Sequence, residues 1–124
     1  AGAYAWRSIE GTGSKLAFGS DAPVELPDPW AGWAAAISRQ GPDGQPFGGW
    51  QPQERVTREE ALAAYTSNGA YAGFAEGRFG RLVKGERADF LFVDRDPMLA
   101  SPADLAATKV RQVWLGGQKV WEAK

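Results

Sequence analysis

Asp21 is the residue best placed to do chemistry in this sequence. It closes the run LAFGSD at 16–21, where an apolar stretch stops and Pro23, Pro27 and Pro29 follow in close order. A carboxylate in such a position can act as a general base, taking a proton from an attacking water and passing it to a leaving group. The same residue type also opens loops, where its side chain accepts bonds from nearby backbone amides in an Asx turn or a helix cap. On the residues alone both readings stand. The chain contains no histidine and no cysteine. The commonest metal ligand and switchable base is therefore missing, as are disulfides and thiolate metal sites. Acid–base or metal chemistry must rest on carboxylates here, or on groups outside this chain.

Other side chains are weaker candidates. Arg39 stands at the end of a tryptophan-bearing helical stretch, beside a Gly/Pro-rich loop. It could clamp a carboxylate or carbonyl of a substrate, although a helix-end arginine commonly serves the helix dipole. Trp30 and Trp33 could line a pocket, but their spacing places them on a core stripe, whereas Trp50 in FGGWQP is expected to be exposed. Asp89 is expected to hold a turn through backbone amides, with Gly80 and Gly85 as turn glycines. Asp94 and Asp96 flank Arg95, where a solvated strand exit is the simpler reading than a second carboxylate site.

These residues need elements to position them. AYAWRSIE at 3–10 fits a short amphipathic helix closed by GTG. KLAFGSD, at 15–21, is continuously apolar before its acid, as in a parallel strand covered on both faces. APVELPDP cannot be regular, because its prolines remove donors and fix the backbone. Pro29 suits the first turn of a helix, and Trp30, Trp33, Ala34 and Ile37 then share one face. Residues 40–54 form a Gly/Pro-rich excursion. Thr57 and Glu60 have the spacing of a capping box, with Val56 as its staple, and Ala61, Leu62 and Tyr65 are expected to be buried. TSNG interrupts that helix, and Thr66 or Ser67 caps a second one running to Phe74. A strand is expected at 88–94, a short helix capped by Ser101, and a hairpin of strands near 109–115 and 118–122 around Gly116-Gly117.

Composition bounds the rest. The 124 residues suffice for one domain with a modest core. With 14 basic and 15 acidic residues and no block of like charge, nothing suggests a nucleic-acid partner. No apolar run is long enough for a membrane helix. The N-terminus lacks a signal-peptide pattern. A cytoplasmic location is expected.

The motifs FGSDAPV, TREEALAAYTSNGAY, GRLVKGERADFLFVDRDP and VWLGGQKVW resemble, in that order, the C-terminal part of amidohydrolase-superfamily enzymes. The resemblance runs from about Tyr4 to Trp121 and is nearest to the amidohydrolase family 3 type, which includes N-substituted formamide deformylases. It implies an α/β fold: a C-terminal fragment of a (β/α)8 barrel, comprising its last strand and helices, plus strands of a small composite β-sandwich. Residues 1–79 would be the barrel segment and 80–124 the sandwich strands. The resemblance implies metal-dependent hydrolysis of a C–N bond in a small amide-type molecule. Asp21 would be the catalytic carboxylate and a possible metal ligand, with the other ligands outside this chain. Arg39 is the candidate substrate-binding residue. The cofactor would be a divalent metal, zinc by expectation, in the complete enzyme and not on this segment alone. The segment alone would be inactive and would associate with the rest of its enzyme chain or with itself. A stand-alone binding or scaffold module that kept this local fold is the rival reading.

Overall fold

In a computed structural model, described for residues 2–124, the first half of the chain is helical. Helix α1 spans Trp6–Glu10, α2 Pro29–Ser38, α3 Arg58–Tyr65 and α4 Ser67–Ala72, with a 3-10 turn at Pro52–Glu54 before α3. The second half runs strand β1 (Phe90–Val93), helix α5 (Pro102–Ala106) and strands β2 (Val110–Leu115) and β3 (Gln118–Glu122). The strands form one antiparallel sheet in the order β1-β2-β3.

The helix ends follow local rules. Asp28 caps α2 by accepting from the Trp30 amide at 2.9 Å, and Pro29 opens the first turn. The capping box of α3 is complete: the Glu60 N–H donates to Thr57 Oγ1, and the Thr57 N–H to Glu60 Oε2 at 2.6 Å. The helical run breaks at Thr66, and α4 stops at Ala72, short of the expected Phe74. Thr66 does not cap α4 with its side chain; its hydroxyl donates back to the Leu62 carbonyl. Ser101 caps α5 through the Asp104 amide. In the β2–β3 hairpin, Gly116 and Gly117 have φ of 57° and 77°, the left-handed pair that a two-residue primed turn requires.

The core forms where α2, α3 and α5 meet. Trp30, Trp33, Ala34, Ala36, Val56, Ala61 and Leu105 are buried together, with Val93, Met98 and Val110 against them. Residues on both sides of position 80 therefore share one cluster. Trp30 and Trp33 stack at 5.9 Å, as the helical stripe predicts. Leu62 does not join them and remains exposed, since Ala61, Ala64 and Tyr65 take the inward side of α3.

The segment KLAFGSD is the main departure from expectation. It pairs with no strand. A strand exists through its ladder partners, and here helices occupy that role: the Phe18 N–H donates to the Ala64 carbonyl at 3.0 Å, and Asn68 Nδ2 to the Leu16 carbonyl at 2.9 Å.

Candidate functional site

Asp21 sits immediately beyond this tethered segment. Its backbone is left-handed, φ 52°, a conformation that aspartate tolerates better than most residues. Its carbonyl accepts from the Val24 amide at 2.9 Å, closing a tight turn. Its exposed carboxylate takes part in no hydrogen bond or ion pair among the described residues. An Asx turn needs the amide of the second residue on, and that residue is Pro23, which has no N–H. This signal was legible in the sequence and separates Asp21 from an ordinary turn aspartate.

The other aspartates are engaged. Asp28, Asp43 and Asp96 each accept the amide two residues on, at 2.8–3.0 Å. Asp89 accepts the Gly116 amide at 2.9 Å and pairs with Arg87, which together hold its carboxyl below the usual range, the arginine being the larger cause. Thus Asp89 braces the hairpin turn, as expected. Asp94 pairs with Arg95 and accepts the Lys109 amide, again depressing its pKa. Asp104 accepts the Ser101 hydroxyl at 2.7 Å. Of seven aspartates, only Asp21 presents a carboxylate with no hydrogen bond or ion pair among the described residues.

Arg39 lies elsewhere, in an aromatic box. It forms the left-handed C-cap of α2, φ 61°, and is only 7% exposed. Its guanidinium carbon lies 4.5 Å from the Trp6 ring centroid and 5.0 Å from that of Trp50. Nε donates to the Trp50 carbonyl and Nη1 to the Tyr4 carbonyl, each at 3.0 Å. Nη2 is buried without an acceptor. Burial pushes the Arg39 pKa down, opposed by the nearby Glu54 carboxylate. Gly49, φ 81°, passes so close to α2 that a Cβ there would stand 2.4 Å from the Ser38 carbonyl oxygen. No hydrogen bond or ion pair joins Arg39 to Asp21 among the described residues, so the two candidates are not brought together.

Sequence reasoning did not single out three side chains that fix this region. Glu54 is buried and accepts both the Ser8 hydroxyl at 2.6 Å and the Ser8 amide at 2.9 Å, which lower its pKa. Arg7 grips Glu60 with two bonds of 2.8 and 2.6 Å. Asn68 holds Leu16, as above. All three act across more than 40 residues of sequence, beyond the reach of local spacing.

Two open surface grooves stand out among the described residues. One of about 470 Å³ is lined by Phe92, Val93, Arg111, Gln112, Glu122 and Ala123. The other, of about 340 Å³, lies against Tyr71, Ala72, Phe74 and Glu76. Asp21 lines neither. Among the described residues, no three Asp, Glu, His or Cys side chains converge in a way that could hold a metal ion. No helix is long and apolar enough to cross a membrane among the described residues.

Comparison with known proteins gives these residues a context. A family model described as "Amidohydrolase family" matches residues 1–121. The "Putative amidohydrolase YtcJ" of Bacillus subtilis (strain 168) is 32% identical over 120 residues, covering 97% of this chain and 23% of the relative. The "N-substituted formamide deformylase" of Arthrobacter pascens is 32% identical over 111 residues, covering 90% of this chain and 20% of the relative. "Protein LONG AFTER FAR-RED 3" of Arabidopsis thaliana is 30% identical over 118 residues, covering 95% and 20%. No solved structure gives a significant match. The chain therefore spans less than a quarter of the length of these relatives. Members of the matched family generally use divalent metals. With nearly every residue inside that match, this chain belongs to the amidohydrolase family.

Proposed function

We propose that this chain supplies the proton-transferring carboxylate, Asp21, of a hydrolase that cleaves the C–N bond of a small amide-type substrate. The observation that carries the reading is the contrast among the aspartates. Asp21 alone is denied local partners, and it stands at the exit of a segment fastened by Ala64 and Asn68.

In this reading water adds to the substrate carbonyl, and the Asp21 carboxylate accepts the proton that the water loses. The protonated Asp21 then gives that proton to the amide nitrogen as the C–N bond breaks, releasing a carboxylic acid and an amine. Substituted formamides are the first substrates to try, from the name of the Arthrobacter relative. The divalent metal, zinc by our reading, would need ligands from outside this segment, with Asp21 as the segment's possible ligand. Arg39 does not contact the reacting groups in this account.

The architecture we propose places residues 1–79 as the last β/α unit and following helices of a (β/α)8 barrel, and 80–124 as strands of a composite β-sandwich. Residues 15–20 would then gain strand neighbours from the rest of the longer chain. Leu91, Phe92, Leu115, Val120 and Trp121, about half exposed in the sheet, would gain a covering layer. The segment alone would be inactive, and the cytoplasm is its compartment in this reading.

The test is Asp21→Asn in the full-length enzyme, assayed by amine release from a panel of secondary formamides and amides. The expected loss of turnover is about 10²–10⁴-fold, the usual worth of a general acid–base group, with an unchanged melting temperature. Turnover close to that of the unaltered enzyme would refute the assignment.

A further inference from the structure

The buried guanidinium of Arg39 has a use that its position at a helix end does not explain. A helix-end arginine that serves only the dipole can remain in water. Arg39 is instead 93% withdrawn from solvent, at a desolvation cost that its partners must offset. Those partners are two tryptophan faces and the carbonyls of Tyr4 and Trp50, which joins α2 to two distant segments of chain.

The Trp6 ring continues the contact. It also meets the Phe18 ring at 5.1 Å and the edge of the Tyr4 ring at 6.1 Å. Phe18 also meets the Tyr65 ring at 5.5 Å, and its amide is bonded to Ala64. Residue 18 is thus gripped from α3 on one side and from Trp6 on the other, three positions before Asp21. Helix α1, which carries Trp6, has five residues and no side-chain N-cap. So short a helix is not stable by itself and depends on tertiary anchors: Arg39 on Trp6, Glu54 on Ser8, and Glu60 on Arg7.

We propose that Arg39 is a positioning residue for Asp21, acting through the stack Arg39–Trp6–Phe18. Residues 15–20 have no strand neighbour among the described residues, and, whichever strands the longer chain adds beside them, the stack and the Ala64 and Asn68 bonds fasten them to α3 and α4 and so help to set where their exit points. Loosening the stack lets that exit drift, and a drift of about 1 Å at a reacting group can cost on the order of 100-fold in rate. This inference rests on the reading of Asp21 as the proton-transferring group, but its first test does not.

That test is amide hydrogen exchange on the full-length chain, unaltered and with Arg39→Met, which keeps apolar bulk between the tryptophans but removes the charge and the donors. We expect protection at Phe18 and its neighbours to fall at least about tenfold, with β1, β2 and α5 unchanged. Unchanged protection at 16–21, or a uniform loss over the whole chain, would overturn the proposal. If Arg39→Met does not fold, Trp6→Phe, which shortens the ring linking Arg39 to Phe18, carries the same test with the same readings. The second arm is kinetic, on whichever panel substrate is turned over. The variant should lower kcat about tenfold or more with KM within about twofold, and should add nothing in an Asp21→Asn background. Equal losses in both backgrounds would refute positioning through Asp21 while leaving Asp21's own role standing. An active Asp21→Asn enzyme would remove the catalytic reading but not the exchange result.

Discussion

Lowering the pH should loosen this fold at one identifiable contact. Glu60 closes the capping box of α3 and receives both Arg7 nitrogens, and its pKa falls from 4.5 to about 2. The Arg7 hydrogen bonds are the main cause, burial opposes them, and the Thr57 bonds add to them. A carboxyl with a depressed folded-state pKa gives stability that is complete above its unfolded value and is lost as pH falls through the folded one. The window is therefore from about pH 4.5 down to about pH 2. At roughly 1.4 kcal/mol per unit the full shift would be worth about 3 kcal/mol. The Glu60 side chain is one-third exposed, and solvent screening reduces the effect to about 1–2 kcal/mol. Glu60→Gln keeps the shape and removes the charge. At pH 7 it should destabilise the chain by that amount, and the gap should close as pH approaches 2. Urea unfolding followed by tryptophan fluorescence at fixed protein concentration reads this directly. Glu54, Asp89 and Asp94 have depressed pKa values too, but they titrate in both proteins and cancel in the difference. Glu10 works in the opposite sense, because burial and the Glu60 charge raise its pKa, so the substitution relieves it slightly. Parallel pH curves with a constant gap would refute the reasoning.

Two further outcomes follow from packing. Leu105 is fully buried where α5 meets α2, so Leu105→Ala should cost about 2–5 kcal/mol in the same urea assay; a cost below about 1 kcal/mol would mean that α5 does not seal the core. The half-exposed Leu91, Phe92, Leu115, Val120 and Trp121 would together gain on the order of 5 kcal/mol if covered. Sedimentation at low micromolar concentration should therefore show the isolated chain associating, and a cooperatively unfolding monomer would count against the missing layer.

How much of this was legible depended on how far apart the interacting residues lie. The capping box at Thr57–Glu60, the Ser101 cap, the Gly116-Gly117 hairpin and the Trp30–Trp33 stripe are set by residues within a few positions of each other, and each formed where its pattern placed it. The KLAFGSD strand did not form, because a strand is a property of a pair and no partner strand lies beside it. Leu62 was misplaced because three small or aromatic neighbours on α3 compete for the same inward arc. The surroundings of Arg39 were out of reach altogether: its acceptors are residues 4 and 50, and no spacing rule links 4 to 39.

Asp21 and Asp28 show how the same residue type in one loop is assigned to different work. Both lie in the proline-rich stretch, and both carry a carboxylate that would bond to the amide two residues on. At Asp28 that residue is Trp30, which donates at 2.9 Å, and the carboxylate is spent on starting α2. At Asp21 it is Pro23, which has nothing to donate. The left-handed backbone at Asp21 turns the chain through the Val24 amide and its own carbonyl, so the turn is closed without the side chain. A carboxylate that must take and return a proton has to be free of fixed donors, because each such bond stabilises the charged form and lowers its pKa. Asp94, held by Arg95 and the Lys109 amide, shows that cost: its pKa is driven well below the usual range, which makes it a poor proton carrier. Replacing Pro23 with a residue bearing an N–H would offer the Asp21 carboxylate a donor two residues on, and so, under the proposed mechanism, the proline matters to the freedom of the acid.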